Sequence, residues 1–165
     1  MYANEAAVLP PKQRSAPRRL VAMDIENING GAVHTKMFAH AAYREVVEII
    51  GLRDDEQVVI GVGPSSLLAV GVSRPGARLV MGRGLSGADH ALIEVLSGER
   101  LASRFEEIVI VSGDGIFAEV AAWLAFEGVH VTVVARDGCL SNRLRLAAGS
   151  VVLLPDNAAV LGEAA

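Results

Sequence analysis

The sequence predicts an α/β fold, a parallel sheet with helices on both faces. Three observations carry that reading. Short apolar runs alternate with segments of helical period between residues 19 and 156. Hydrophobic residues make up 52% of the 165-residue chain against 21% charged, enough for one domain with a substantial core. Aromatics are only 4%, so that core is built from Val, Leu, Ile and Ala, as suits a sheet buried on both sides.

Each element follows from a local pattern. Residues 1–18, with Pro10, Pro11 and Pro17 among polar and basic neighbours, read as a flexible tail. Leu20 to Met23 is the first strand. Residues 36–50 place Phe38, Ala42, Val46 and Ile49 on one helical face, and Gly51 is the expected stop. Val58 to Val62 is a strand. Pro64, Ser65 and Ser66 open a short helix through Val70, with one of the serines as its cap. Arg78 to Met81 is a brief strand, and Ser86 and Gly87 are capping candidates for a helix over Ala88 to Leu96. Ile108 to Val111 is a strand. Phe117, Val120, Ala121 and Leu124 mark the next helix, which Gly128 ends. Val129 to Ala135 is a strand, Ser141 to Leu146 a short helix, and Val151 to Leu154 the last strand. Residues 157–165 read as a second tail, leaving one domain over 19–156.

Composition narrows the function. Cys139 is the single cysteine, which excludes an intramolecular disulfide and a cysteine zinc cluster. No apolar run reaches the length of a membrane span and no signal-peptide core is evident, so the expectation is a soluble, cytoplasmic protein without a membrane partner. Net charge is −4; residues 1–19 carry four bases against Glu5, or +3, which leaves −7 on the rest. A protein of that balance does not grip nucleic acid by bulk charge, so any such binding needs a local patch.

In a parallel sheet, ligands bind beyond the carboxyl ends of the strands. Three acidic segments fall there: Asp24-Ile25-Glu26-Asn27 after the first strand, Gly87-Ala88-Asp89 at a helix start, and Ser112-Gly113-Asp114-Gly115 after the fourth strand. An aspartate in such a place also serves as a helix cap. Three together point to a cation, because clustered carboxylates repel one another and Mg²⁺ or Mn²⁺ takes oxygen ligands. The expected catalytic and metal-binding residues are therefore Asp24, Asp89 and Asp114, supported by Asn27, Ser112 and Glu26. Arg83, between Gly82 and Gly84, and Arg136, at a strand end, are the expected phosphate contacts. Lys36, Arg74, Arg78, Arg143 and Arg145 are weaker candidates. His90, beside Asp89, is read as a surface residue.

These three segments, with Ser112-Gly113-Asp114-Gly115-Ile116-Phe117 as the last, resemble the signature segments of the NYN family of PIN-like ribonucleases, in order and spacing over roughly residues 19–155. The resemblance implies a three-layer, Rossmann-like (PIN-like) α/β/α sandwich. It implies a metal-dependent endoribonuclease acting on single-stranded or structured RNA, with Asp24, Asp89 and Asp114 as metal ligands and Mg²⁺ or Mn²⁺ as cofactor. A homodimer is compatible with it. The chain departs from the pattern at Ile116, where the family often carries a second acid; Glu26 and Glu119 are the residues that could replace it. That departure motivates an alternative, a PIN-like module that binds RNA or a protein without cutting. A phosphohydrolase of the haloacid-dehalogenase type is a third reading, but its Asp-x-Asp pair would need an acid of the other kind where Glu26 stands.

Overall fold

A computed structural model describes residues 16–74 and 76–155. Six strands form one sheet: β1 (Arg19–Asp24), β2 (Gln57–Val62), β3 (Arg78–Met81), β4 (Glu107–Val111), β5 (His130–Arg136) and β6 (Ser150–Leu154). Their spatial order is β3-β2-β1-β4-β5-β6 and every pairing is parallel. The six helices are α1 (Ile25–Asn29), α2 (Lys36–Ile50), α3 (Leu67–Ser73), α4 (Gly87–Gly98), α5 (Ala118–Phe126) and α6 (Asn142–Ala147). This is the three-layer, Rossmann-like α/β/α sandwich that the sequence predicts.

The strand period of two sorts the core. Leu20, Ala22, Ile108, Ile110, Val131 and Val133 pack under α4, α5 and α6. Val21, Met23, Ile60, Val109, Val111 and Val134 pack under α1, α2 and α3 on the other face. Because both faces are covered, the strands are apolar throughout rather than alternating.

The helix signals work where the backbone uses them. Thr35 caps α2 by accepting from the Phe38 amide at 3.3 Å, and Gly51 ends it with φ 57. The serines expected as caps do not act so. Neither Ser66 nor Ser86 makes a side-chain cap bond. Ser66 is buried, and its hydroxyl accepts from Val33 N at 2.9 Å and donates to Glu26. Pro64 to Ser66 form a turn, so α3 begins at Leu67 and runs on to Ser73.

Residues 1–15 and 156–165 lie outside the described residues, and with them most of the two expected tails. The inner end of the first is held to the domain: Arg18 O accepts from Glu106 N, and Arg53 donates to Pro17 O. Among the described residues no helix is long and apolar enough to cross a membrane.

Candidate functional site

The strand order reverses between β1 and β4, which makes their carboxyl ends the crevice where this architecture binds ligands. Asp24 is the last residue of β1 and also the N-cap of α1. It is 3% exposed. One carboxylate oxygen accepts from Asn27 N at 3.2 Å, the other from Ser112 Oγ at 3.2 Å. Ser112, wholly buried just past β4, also accepts from Asp114 N at 3.2 Å. Asn27 Oδ1 accepts from Gly113 N at 2.9 Å. The first and last acidic segments are thus stitched together by Ser112 and Asn27, which hold Asp24 in one orientation.

Asp89 arrives from the other side, on the first turn of α4. In the sheet register Asp24 stands beside Gly61 of β2. A Cβ on Gly61 would lie 2.7 Å from Leu92 and 3.0 Å from the Ala88 carbonyl, so only glycine lets α4 come this close. That approach brings the Asp89 carboxyl, 9% exposed, beside that of Asp24 at one pocket, close enough for its charge to act on it. Burial first, then the Asp89 carboxyl, push the Asp24 carboxyl up from 3.8 to about 7. The Asn27 and Ser112 bonds pull the other way.

Asp114 caps the short 3-10 turn Gly115–Phe117, accepting from Ile116 N at 3.0 Å, and is exposed. Asp24, Glu26, Asn27, Asp89 and Asp114 all line one pocket of about 200 Å³, walled by Gly63, Gly84 and Ser86 to Ala88. The structure therefore brings the three aspartates to one place. It does not close them into a cage: among the described residues no three His, Cys, Asp or Glu side chains are grouped so as to hold a metal ion. Asp24 and Asp89 form a buried neighbouring pair and Asp114 is exposed beside them.

Glu26 is in the pocket, but one of its oxygens accepts from Gly63 N at 2.9 Å and from Ser66 Oγ, which ties it to the loop after β2. Ile116 packs against the core under α4 and α5 and lines no part of the pocket. Glu119 lies outside it, with its side chain 90% exposed and 3.6 Å from Arg143.

Arg83 is exposed, on the loop that forms one wall of the pocket. Arg136 requires a correction. It is 5% exposed, and its guanidinium is spent inside the protein. It makes two bonds to Glu45, at 2.5 and 2.6 Å, one to Ile28 O at 3.0 Å and one to Pro155 O at 3.0 Å. It clamps α1, α2 and the end of β6 to β5 and is not a phosphate contact. His90 is exposed, with Nδ1 2.7 Å from Ser86 O, as a surface residue should be.

The sequence reading missed the wall itself. Gly82 and Gly87 are in backbone contact: a Cβ on Gly82 would lie 1.8 Å from the Gly87 carbonyl oxygen. The signal in the sequence is the Gly82-Arg83-Gly84-Leu85-Ser86-Gly87 spacing, in which Ser86 and Gly87 count above only as capping candidates.

No family model and no curated protein matches the chain. Among solved structures, the chain is similar to the crystal structure of a protein of unknown function from Vibrio parahaemolyticus. The TM-score is 0.62 at 16% identity, over 88% of this chain and 98% of that one. At that identity the likeness bears on the fold alone.

Proposed function

We propose that the chain is a metal-dependent endoribonuclease of NYN type, with its chemistry at the Asp24–Asp89 pair. The single observation that carries this is a pair of neighbouring buried carboxylates at the switch point of the sheet, lining one pocket with other oxygen-bearing side chains. Two like charges in a desolvated corner are costly unless a proton or a cation lies between them. The donor set is oxygen only, which suits hard Mg²⁺ or Mn²⁺, and Mg²⁺ is commonly held by one or two carboxylates plus water and substrate phosphate. The residues present fit such a two-carboxylate site better than a three-aspartate cage.

In this reading Asp24 and Asp89 hold the ion, and Ser112 and Asn27 keep Asp24 oriented. A bound divalent ion would supply an activated water and neutralise charge on the scissile phosphate. Asp114, exposed at the rim with one oxygen already accepting from Ile116 N, is placed to orient a water or accept its proton. Glu26 is held back by Gly63 and Ser66 and shapes the floor.

One observation favours the second reading, a module that binds RNA without cutting it: no third carboxylate joins the Asp24–Asp89 pair, since Ile116 turns into the core. A single experiment separates the two. Purified protein is incubated with single-stranded RNA in Mn²⁺ or Mg²⁺, alongside Asp24→Asn and Asp89→Asn. The nuclease reading expects cleavage that each substitution and EDTA reduce by about 100-fold or more. Cleavage that survives in both variants sinks it, and RNA binding without turnover in any metal establishes the module instead.

A further inference from the structure

Helices α5 and α6 pack on one face of the sheet and against each other. Val120, Ala121 and Leu124 of α5 and Leu144 of α6 face the core. The outward side of a surface helix ordinarily carries charged and polar residues. On α5 that side instead holds Ala122, Trp123, Ala125 and Phe126, all exposed. Trp123, the chain's single tryptophan, is 40% exposed, Phe126 is 85% exposed, and Leu146 on α6 is 87% exposed. A chain with only 4% aromatic residues thus places two of them on one solvent-facing helix side.

The two helices lie side by side. The Arg143 guanidinium is 3.6 Å from the Glu119 carboxylate, and both side chains stand in solvent. Each helix returns the chain between parallel neighbouring strands, so α5 and α6 run in the same direction. One turn beyond the charged pair, Trp123 follows Glu119 by four residues and Leu146 follows Arg143 by three, on the same sides of their helices. Phe126 comes a turn later on α5. The surface therefore has two stripes in the same order: acid then aromatics on α5, base then leucine on α6.

Such a surface is complementary to itself. A two-fold axis running along the helix pair lays α5 of one copy on α6 of the other. Each Glu119 then meets the Arg143 of the other copy, and Trp123 and Phe126 meet its Leu146. An antiparallel crossing would instead set Glu119 over Glu127 at the far end of the same helix, like charge on like. We propose that the α5–α6 surface binds a second copy of this chain in the parallel arrangement, acid on base and aromatic on leucine. The three large apolar side chains leave roughly 400 Å² exposed on each copy. With the alanines and the charged pair, the contact would bury on the order of 1,000 Å² in total, the size of a weak, reversible dimer. Because the axis follows the helices, both sheets point their strand carboxyl ends the same way, and the two candidate pockets open on one side of the dimer. The pairing goes beyond the nuclease reading and does not depend on it.

Sedimentation velocity from about 1 to 500 µM protein tests this, with Trp123 emission as a second readout. The wild-type protein is expected to pass from monomer to dimer with a dissociation constant on the order of 10 µM, and its emission to shift to the blue as the indole is covered. Phe126→Asp should weaken the dimer by about 50-fold or more. Its melting temperature as a monomer should change little, because that side chain is exposed there. Glu119→Arg and Arg143→Glu should each weaken association by about tenfold, by setting like charges face to face. A one-to-one mixture of those two variants should regain the wild-type affinity. In the mixed dimer every acid again meets a base, whereas the pair within each chain stays like-charged. A monomer at every concentration overturns the inference, and so does a dimer that Phe126→Asp leaves intact. Emission already shifted to the blue in a monomer shows Trp123 covered by another part of the chain and overturns it as well. A mixture that associates no better than either variant alone overturns the parallel arrangement.

Discussion

Asp24 concentrates the physics of the site in one side chain. Its carboxyl is buried at the end of the central strand, beside a second carboxyl, and is pushed up to about 7 by desolvation and by Asp89. In the unfolded chain it titrates near 3.8. The folded value is the higher one, so its contribution to stability is complete below pH ~4 and is lost as pH rises to about 7. Asn at position 24 carries no charge to bury. In metal-free buffer, Asp24→Asn should therefore match wild type at pH 4 and exceed it at pH 8, by on the order of 2 kcal/mol or several degrees in melting temperature. Thermal scans across that range decide it; a difference that is flat with pH would show that the Asp24 charge is not the cost. Mn²⁺ is expected to raise the wild-type melting temperature at pH 8, to do much less at pH 4, and to leave Asp24→Asn nearly unmoved.

At the level of elements, the site depends on close approaches that small residues permit and on clamps that charged residues supply. Gly61 admits α4 to the sheet, and Gly82 against Gly87 closes the loop that precedes it. Arg136 is the clamp on the opposite flank, joining β5 to α2 through Glu45 and to the backbone of α1 and of the residue after β6. Removing it takes the cation from the Glu45 carboxylate and a donor from two carbonyls. Arg136→Ala is expected to cost about 3 kcal/mol, a fall in melting temperature of roughly 10 °C. RNA affinity per folded molecule should stay at the wild-type value, because the guanidinium never faces the pocket. A stable Arg136→Ala protein with weakened RNA binding would restore the phosphate role that the structure denies it.

For the whole molecule, the charge balance limits how the proposed RNA substrate could be held. With a net charge of −4 and an acidic pocket, the proposed RNA binding would draw on few phosphate contacts rather than on a broad positive field. The logarithm of affinity against the logarithm of salt concentration should fall with a slope of about −1 to −2. A slope steeper than about −5 in a titration from low to high salt would show a large basic surface that the described residues do not present. The sheet supplies the other global constraint. Its order reverses between β1 and β4, so the ends of those two strands open on one crevice, and the acidic segments lie there.

The sequence by itself determined the elements and their class. Apolar period, Gly51 and Gly128 as stops, and the alternation of strand with helix are local features, legible because backbone geometry is set over a few residues. It also located Asp24, Asp89 and Asp114 at element ends, where a parallel sheet exposes side chains to ligands. Only the tertiary structure decided how they meet. Asp89 comes beside Asp24 because Gly61, on a different strand, lacks a side chain, and Asp114 stays exposed because it caps its own turn. Arg136 looked free at a strand end until Glu45, 91 residues away, took its guanidinium. Ser66 looked like a cap until Glu26 and Val33 claimed its hydroxyl. Each of these outcomes turns on a hydrogen bond or close contact between residues distant in the chain, and spacing along the chain does not record which partner folding brings within 3 Å.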